Sequence, residues 1–170
     1  MIHVPVLLSE VIEGLNLKKD SVVVDATADG GGHAREILKN LGHEGKLIGL
    51  DWDESMIEKL QNELGGDARV KLFHSNFSEL EKVAGPLRPD AILFDLGLSS
   101  LQLLASGRGF SFRSEEGLGM TFDLNQRPDA AEFVRKVNVK NLEDVIRKYG
   151  EERFAGRIAR AIDRYRLRKG

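Results

Sequence analysis

The sequence predicts an α/β fold on a parallel sheet, and three observations carry that prediction. Short apolar runs alternate with amphipathic segments, glycines gather where the first run turns into a helix, and aspartates fall at the ends of the runs. The candidate strands are SVVVDA (21–26), KLIGLDW (46–52), VKLFHS (70–75) and AILFDLG (91–97). Each is short, apolar and mostly bounded by Gly, Pro, Asn or Asp, as buried parallel strands are. Between them lie GHAREILKNL, ESMIEKLQNEL and FSELEKVAG, whose apolar residues recur at helical spacings, with Asp53 and Ser78 placed to cap the second and third. A further helix over Leu8 to Leu15 precedes the first strand. Strand, helix, strand in repetition implies right-handed crossovers, with functional groups collected at the carboxyl ends of the strands.

The pattern changes after Gly97. The stretch SSLQLLASGRGFSFRSEEGLGMTFDLNQRPD has Gly, Ser and Arg clusters and no sustained period, which marks a long functional loop. Helical patterns follow in AAEFVRKV, NLEDVIRKYG and EERFAGRIARAIDRYRLRKG, where Phe154, Ile158 and Ile162 define an apolar face at a spacing of four. The expected organisation is a core over 1–103, a loop over 104–128 and a basic helical part over 129–170.

Composition narrows the functional classes. A chain of 170 residues, 41% hydrophobic and 31% charged, has apolar material for one globular domain. It has no cysteine, which excludes disulfides and thiolate metal sites. No apolar stretch approaches the roughly 20 residues of a membrane span, and the N-terminus is not signal-like, so a soluble, cytoplasmic protein without membrane association is expected. His3, His33, His43 and His74 share no ligand-like spacing, so no metal site is expected. The net charge of −2 hides an asymmetry: residues 146–170 carry nine Lys/Arg against three Asp/Glu, a local +6. That block is either a solvated helix face or a footprint for a polyanion, and charge alone leaves both open.

The stretch DATADGGGH (25–33) is the sharpest feature. Successive glycines at a strand-to-helix turn let backbone approach a ligand, and the helix start offers free N–H groups and a positive dipole end. No Lys-Ser/Thr follows, and GGGHA does not meet G-x-G-x-x-G, so neither a phosphate-binding loop nor the usual dinucleotide fingerprint is present. A plain tight turn would look the same. Asp51 ends the second strand about 20 residues on, where an acidic side chain accepts hydrogen bonds from ribose hydroxyls. Asp53 reads better as a helix cap. Asp95 ends the fourth strand in FDLG, where a carboxylate or its neighbouring carbonyls could meet an amine. The residues by themselves lead to an adenosine-containing cofactor and an unspecified reaction.

In chain order, HVPVLLSEV, DATADGGGHA, LIGLDWD, Asn76-Phe77-Ser78, FDLGLSSLQL, RGFSF and YGEERFAGRIARAI resemble the MraW family of bacterial small-subunit ribosomal RNA cytosine-N4 methyltransferases. The resemblance covers nearly the whole chain. It implies a Rossmann-like class I S-adenosylmethionine-dependent methyltransferase core with strand order 3-2-1-4, incomplete here, followed by part of a helical insertion. It further implies methyl transfer to the exocyclic amine of a cytidine in ribosomal RNA, with the small ribosomal subunit as partner. Carried over by position, it assigns the cofactor to Gly31, Gly32, His33, Asp51, Phe77, Asp95 and Gln102. Asp95 is assigned to orienting the amine or accepting its proton, and Ser99 and Ser100 to hydrogen bonds with substrate.

Three departures from the family pattern stand out. Asp29 occupies a position where the family has glycine, so strain in the turn or crowding of the cofactor's carboxylate is expected, and Asp29→Gly is expected to tighten binding. Gly117 to Asp123 replaces a Pro-Leu-Asp-Met-Arg-Met-Asp type segment, removing an acidic and a basic group. The family's chains also continue well beyond this length, which leaves the fourth strand as an exposed edge open to self-association. The competing expectations are a shortened or non-catalytic cofactor-binding chain and a methyltransferase with another substrate.

Overall fold

A computed structural model describes residues 5–98, 103, 107–111, 113, 115–123 and 128–169. The chain forms two compact units, residues 1–106 with 122–124 and residues 107–121 with 125–170.

The first unit opens with helix α1 (Leu8–Leu15) and then alternates β1 (Val22–Asp25), α2 (Gly32–Asn40), β2 (Lys46–Asp51), α3 (Glu54–Leu64), β3 (Val70–His74), α4 (Leu80–Ala84) and β4 (Ala91–Leu93). All pairings are parallel and the order is β3-β2-β1-β4, as expected of a class I methyltransferase core. Val23 aligns with Leu47 on one side and Ala91 on the other, which sets the register of the central strand. Because side chains alternate along a strand, neighbouring Val23 and Val24 serve opposite faces of the sheet. Val23 and Leu47 pack with Ala34, Ile37 and Leu38 of α2, and Val11, Ile12 and Leu15 of α1 lie against that cluster. Val24, Ile48 and Leu50 pack on the other face with Ala84 of α4, beside Leu80 and Val83. Burial on both faces explains why β1 and β2 read as unbroken apolar runs.

Local chemistry sets the helix ends. Asp53 caps α3 as expected, accepting the Ser55 N–H at 3.0 Å. The cap expected at Ser78 is instead Asn76, whose carboxamide oxygen accepts the Ser78 N–H at 2.8 Å and opens a 3-10 turn over Phe77–Glu79. The segment FSELEKVAG is therefore a 3-10 turn, the single short helix α4, and a second 3-10 turn over Gly85–Leu87 that contains Pro86. Proline there removes the N–H that would have continued α4. Arg69 fastens the end of α2 by donating to the carbonyls of Leu38, Leu41 and Gly42. The same guanidinium, beside Asp67, holds that carboxyl down to about 2. Strand β4 ends at Leu93, so Asp95 lies two residues past it. Among the described residues β4 pairs only with β1; Ile92 within it and Phe94 just after it are 41% and 46% exposed.

The second unit holds helices α5 (Ala130–Lys136), α6 (Val139–Gly150) and α7 (Ala155–Lys169). Asp129 and Asn138 cap the first two by accepting the Glu132 and Asn141 N–H groups. Of the apolar face expected from Phe154, Ile158 and Ile162, only Ile162 is half-buried. Ala155 and Ala159 are fully buried and Leu142 of α6 nearly so, whereas Phe154 and Ile158 are exposed. Small residues permit close approach of two helix backbones, and packing selects them over the bulkier stripe: a Cβ on Gly156 would come within 2.9 Å of the Glu143 carboxylate. Arg166 of α7 donates to the carbonyls of Val134 and Val137, both at 2.7 Å, at the C-terminal end of α5. Within the preceding loop, Met120 N–H donates to Arg108 O at 2.6 Å, and Ala130 and Ala131 N–H groups donate to Gly119 O and Leu118 O. Gly109, at φ 76°, passes so close to the Gly117 carbonyl that no side chain fits there.

Candidate functional site

The carboxyl ends of β1, β2 and β4 bring Asp51, the glycine turn, His33 and Asp95 into one neighbourhood. Asp51 closes β2 and is 9% exposed, with one oxygen accepting the Asp29 N–H at 2.7 Å and the other the Asp53 N–H at 2.8 Å. Two backbone donors fix the carboxylate plane and leave further lone pairs free for a ligand. Burial raises the Asp51 carboxyl above its ordinary range, against the two backbone hydrogen bonds, which favour the ionised form.

The glycine stretch wraps past this carboxylate into α2. Gly31 caps the helix at φ 77°, a conformation that glycine adopts without strain, and a side chain there would run into Leu60. A side chain on Gly32 would run into Pro5. Arg35, ion-paired with Glu63, donates to Gly30 O at 3.0 Å and so steadies the turn from the helix side. Asp29 sits at φ 38°, in the left-handed region that aspartate tolerates better than most residues.

His33 in the first turn of α2 is 7% exposed, and its Nδ1 lies 3.6 Å from Asp95 Oδ2. Asp95 is held from the backbone as well, its N–H donating to Thr27 Oγ1 at 2.7 Å. Phe77 stands edge-on to Phe94, the residue before Asp95, with ring centroids 5.9 Å apart. The structure thus joins His33 to Asp95 and the glycine turn to Asp51. Ser99, Ser100 and Gln102 lie outside the described residues. Among those described, no group of three or more His, Cys, Asp or Glu is placed to hold a metal ion, and no helix is long and apolar enough to cross a membrane.

Sequence reasoning passed over Asp25 and Thr27. Asp25 ends β1 as Asp51 ends β2, and that parallel was the signal available. It is 1% exposed, accepts the Thr27 N–H at 3.2 Å, and burial, followed by the charges of Asp51, Asp95 and Asp29, pushes its carboxyl up to about 7. Thr27 ties the first loop to the end of β4 through its hydroxyl. Beyond Asp51, Trp52 stacks on Phe122 at 6.2 Å, and His74 Nε2 lies 3.1 Å from Trp52 O and 3.9 Å from Asp123 Oδ2. This returns residues 122–123 to the edge of the same strand ends.

Comparison with known proteins identifies the chain's relatives. Ribosomal RNA small subunit methyltransferase H of Methylobacillus flagellatus is 45% identical over 163 residues, covering 94% of this chain and 50% of that protein. Its counterpart in Legionella pneumophila strain Corby is 44% identical over 164 residues, covering 94% and 53%. The chain therefore spans about half the length of these relatives. Among solved structures, a SAM-dependent O-methyltransferase from Thermotoga maritima aligns at 21% identity with a TM-score of 0.41, over 46% of this chain and 31% of that one. The sequence profile of the MraW methylase family matches residues 1–170, and the chain belongs to that family.

Proposed function

We propose that the chain carries the cofactor half of an S-adenosylmethionine-dependent methyltransferase acting on the exocyclic N4 amine of a cytidine in small-subunit ribosomal RNA. The observation that supports this best is the buried Asp51 carboxylate, held by two backbone N–H groups directly against the glycine turn. The strand ends also fit such a cofactor by what they leave unmet. Among the described residues, Asp29 Oδ1 and His33 Nε2 are buried side-chain polar atoms with no protein partner. Buried polar atoms are rarely left without partners unless a ligand or water supplies them.

In this reading Asp51 accepts the ribose hydroxyls, the Gly31–Gly32 backbone and the start of α2 receive the methionine end, and Phe77 flanks the adenine. S-adenosylmethionine supplies the activated methyl group. Cytosine N4 is a weak nucleophile because its lone pair is delocalised into the ring, so alignment carries much of the rate enhancement. Asp95, held by Thr27 and beside His33, is assigned to orient the amine and take the proton it gives up. Ser99 and Ser100 follow Asp95 in sequence and are assigned substrate hydrogen bonds, with Gln102 at the methionine end. The basic residues of α7 are assigned to phosphates of the RNA, and the open edge of β4 to self-association.

Titration calorimetry with S-adenosylmethionine tests the cofactor assignment, which is lost if the folded chain shows no binding up to millimolar ligand. Transfer of a labelled methyl group to small ribosomal subunits lacking the modification tests the reaction. Binding without transfer, beside an active full-length relative, would favour a cofactor-binding chain that is not catalytic by itself.

A further inference from the structure

Helix α7 buries one side and gives the other a two-part pattern. Ala155, Gly156 and Ala159 are buried, and Ile162, Asp163 and Arg166 are half-buried. Arg153, Arg157, Arg160 and Arg164 are exposed and recur at spacings of four, three and four, which sets them in one stripe along the helix and the turn before it. Phe154, Ile158, Ala161 and Tyr165 follow one residue later at the same spacings, so a second exposed stripe runs beside the first. Phe154, Ile158 and Tyr165 are 45%, 37% and 62% exposed. Members of both stripes line one open groove.

The arginines divide by what they hold. Arg147 pairs with Glu143, and Arg166 with Asp163 and the carbonyls at the end of α5. Among the described residues, Arg157, Arg160 and Arg164 have no carboxylate partner. Glu152, the acid that lines the groove, gives one oxygen to the Phe154 N–H at 2.6 Å. A row of uncompensated arginines attracts a chain of negative charges. The guanidinium carbons of Arg153 and Arg157 lie 4.6 and 5.6 Å from the Phe154 centroid, so cations and ring meet along the seam of the two stripes.

We infer that this face of α7 binds single-stranded RNA in preference to duplex, with phosphates on the arginine stripe and an unpaired base stacked on Phe154. The inference rests on the assignment of α7 to RNA made above, and adds the form of RNA taken and the means of taking it. A duplex satisfies the arginines alone, because its bases are already stacked on one another and turn their faces to no side chain. A single strand satisfies both stripes, and does so for any sequence, since every base has a π-face. An anionic bilayer would match the charge, but the apolar stripe left for it is one residue wide and interrupted by Ala161.

The test is fluorescence anisotropy of the full chain with a short unstructured oligoribonucleotide and with the same strand annealed to its complement, over a range of salt. Wild type is compared with Arg157→Gln and Phe154→Leu, both at exposed positions, and far-UV circular dichroism shows that each variant is folded. Charge density alone favours the duplex, so tighter binding of the single strand by wild type is the expected sign of stacking. Arg157→Gln should reduce the salt slope of the single strand by about 0.7. Phe154→Leu should leave that slope unchanged and weaken the single strand several-fold, with no effect on the duplex. Equal or tighter binding of the duplex, an unchanged slope in Arg157→Gln, or an unchanged affinity in Phe154→Leu overturns the inference. The first and third of these leave α7 assigned to RNA, whereas the second removes RNA from this face. Binding of neither RNA, with or without binding to phosphatidylglycerol vesicles, overturns the assignment of α7 to RNA and this inference with it.

Discussion

The two units reach order by different means. In the first, Val23, Val24, Ile37, Leu47, Ile48 and Leu50 are all at most 1% exposed, and the sheet has a hydrophobic layer on each face. In the second, the fully buried apolar residues among those described are alanines, Ala155 and Ala159, beside Leu142 at 3%. Phe154, Tyr165 and Leu167 of the same unit are 45%, 62% and 76% exposed. Apolar burial stabilises by about 25 cal/mol per Å², so the first unit has a large reserve and the second depends on caps, ion pairs and one alanine seam. The difference also separates two tasks: the rigid sheet fixes a set of carboxylates, whereas the helical unit presents cations and aromatic rings outward.

The largest effect expected from that contrast is a pH-dependent one, because only a dense core can hold an acid as Asp25 is held. Its carboxyl ionises at the ordinary value of 3.8 when unfolded and at about 7 when folded. Between these values the folded state keeps a proton that the unfolded state has lost, so stability is full below the lower value and falls as pH rises through about 7. Asp25→Asn should flatten that slope, leaving the variant more stable by roughly 3–4 kcal/mol at pH 8 and little changed at pH 4. Urea denaturation at several pH values measures it, and parallel curves for the two proteins would show that Asp25 titrates normally.

Next in size is the cost of truncating one apolar side chain in each unit. Leu47→Ala, at a position 0% exposed on β2, should destabilise by about 3 kcal/mol through lost burial and the cavity left behind. Ile158→Ala, 37% exposed on α7, should cost less than about 1 kcal/mol. Equal costs by chemical denaturation would mean that Ile158 is covered in the folded protein and that the contrast drawn between the units is wrong.

These particular residues also show what could be read in advance. The strands, the cap at Asp53 and the place of Asp51 were legible because each follows from local pattern: an apolar run, a helix start, an acid at a strand end; the strand order 3-2-1-4 came from the family resemblance. The face of α7 was not. Spacing identifies every apolar stripe equally, and only tertiary packing decides that Ala155 and Ala159 go inside while Phe154 stays out. The cap at Asn76 was missed because Ser78 has the same chemistry two residues later. Asp25 was missed because its place at the end of β1, the one signal the sequence offered, says nothing of the burial that raises its carboxyl. The unpaired Oδ1 of Asp29 likewise depends on which neighbours happen to be engaged elsewhere.

Arg69 and Arg166 allow a like-for-like test, since each guanidinium closes the C-terminal end of a helix on another segment and pairs with a nearby aspartate. Replacing either with Met keeps the aliphatic stem and removes the donors, at a cost of about 1–2 kcal/mol. The consequences should diverge. After Arg69→Met, α2 remains pinned by Ile37 and Leu38 in the core. After Arg166→Met, α5 has no comparable buried residue of its own, and amide hydrogen exchange over Ala130–Lys136 should accelerate well beyond that over Gly32–Asn40 in the other variant. Similar acceleration in both would assign α5 more packing than its burial indicates.

The smallest effect concerns two phenylalanines. Phe122 stacks on Trp52 within the first unit, its ring 6.2 Å away and tilted by 20°. Phe154 in the second faces Arg153 and Arg157, whose guanidinium carbons lie 4.6 and 5.6 Å from its centroid. Phe122→Leu should cost about 1 kcal/mol, the usual worth of an aromatic pair, and should also quench or shift the fluorescence of Trp52, the chain's one tryptophan. Phe154→Leu should cost less than about 0.5 kcal/mol, because exposed cation–π contacts contribute little. If α7 does present this ring and its arginines to RNA, the same substitution should weaken binding of a single-stranded oligoribonucleotide by several-fold, since a base loses its stacking surface. Loss of stability without loss of RNA affinity at Phe154 would instead make it a packing residue, and the second unit would resemble the first more closely than its exposed surface implies.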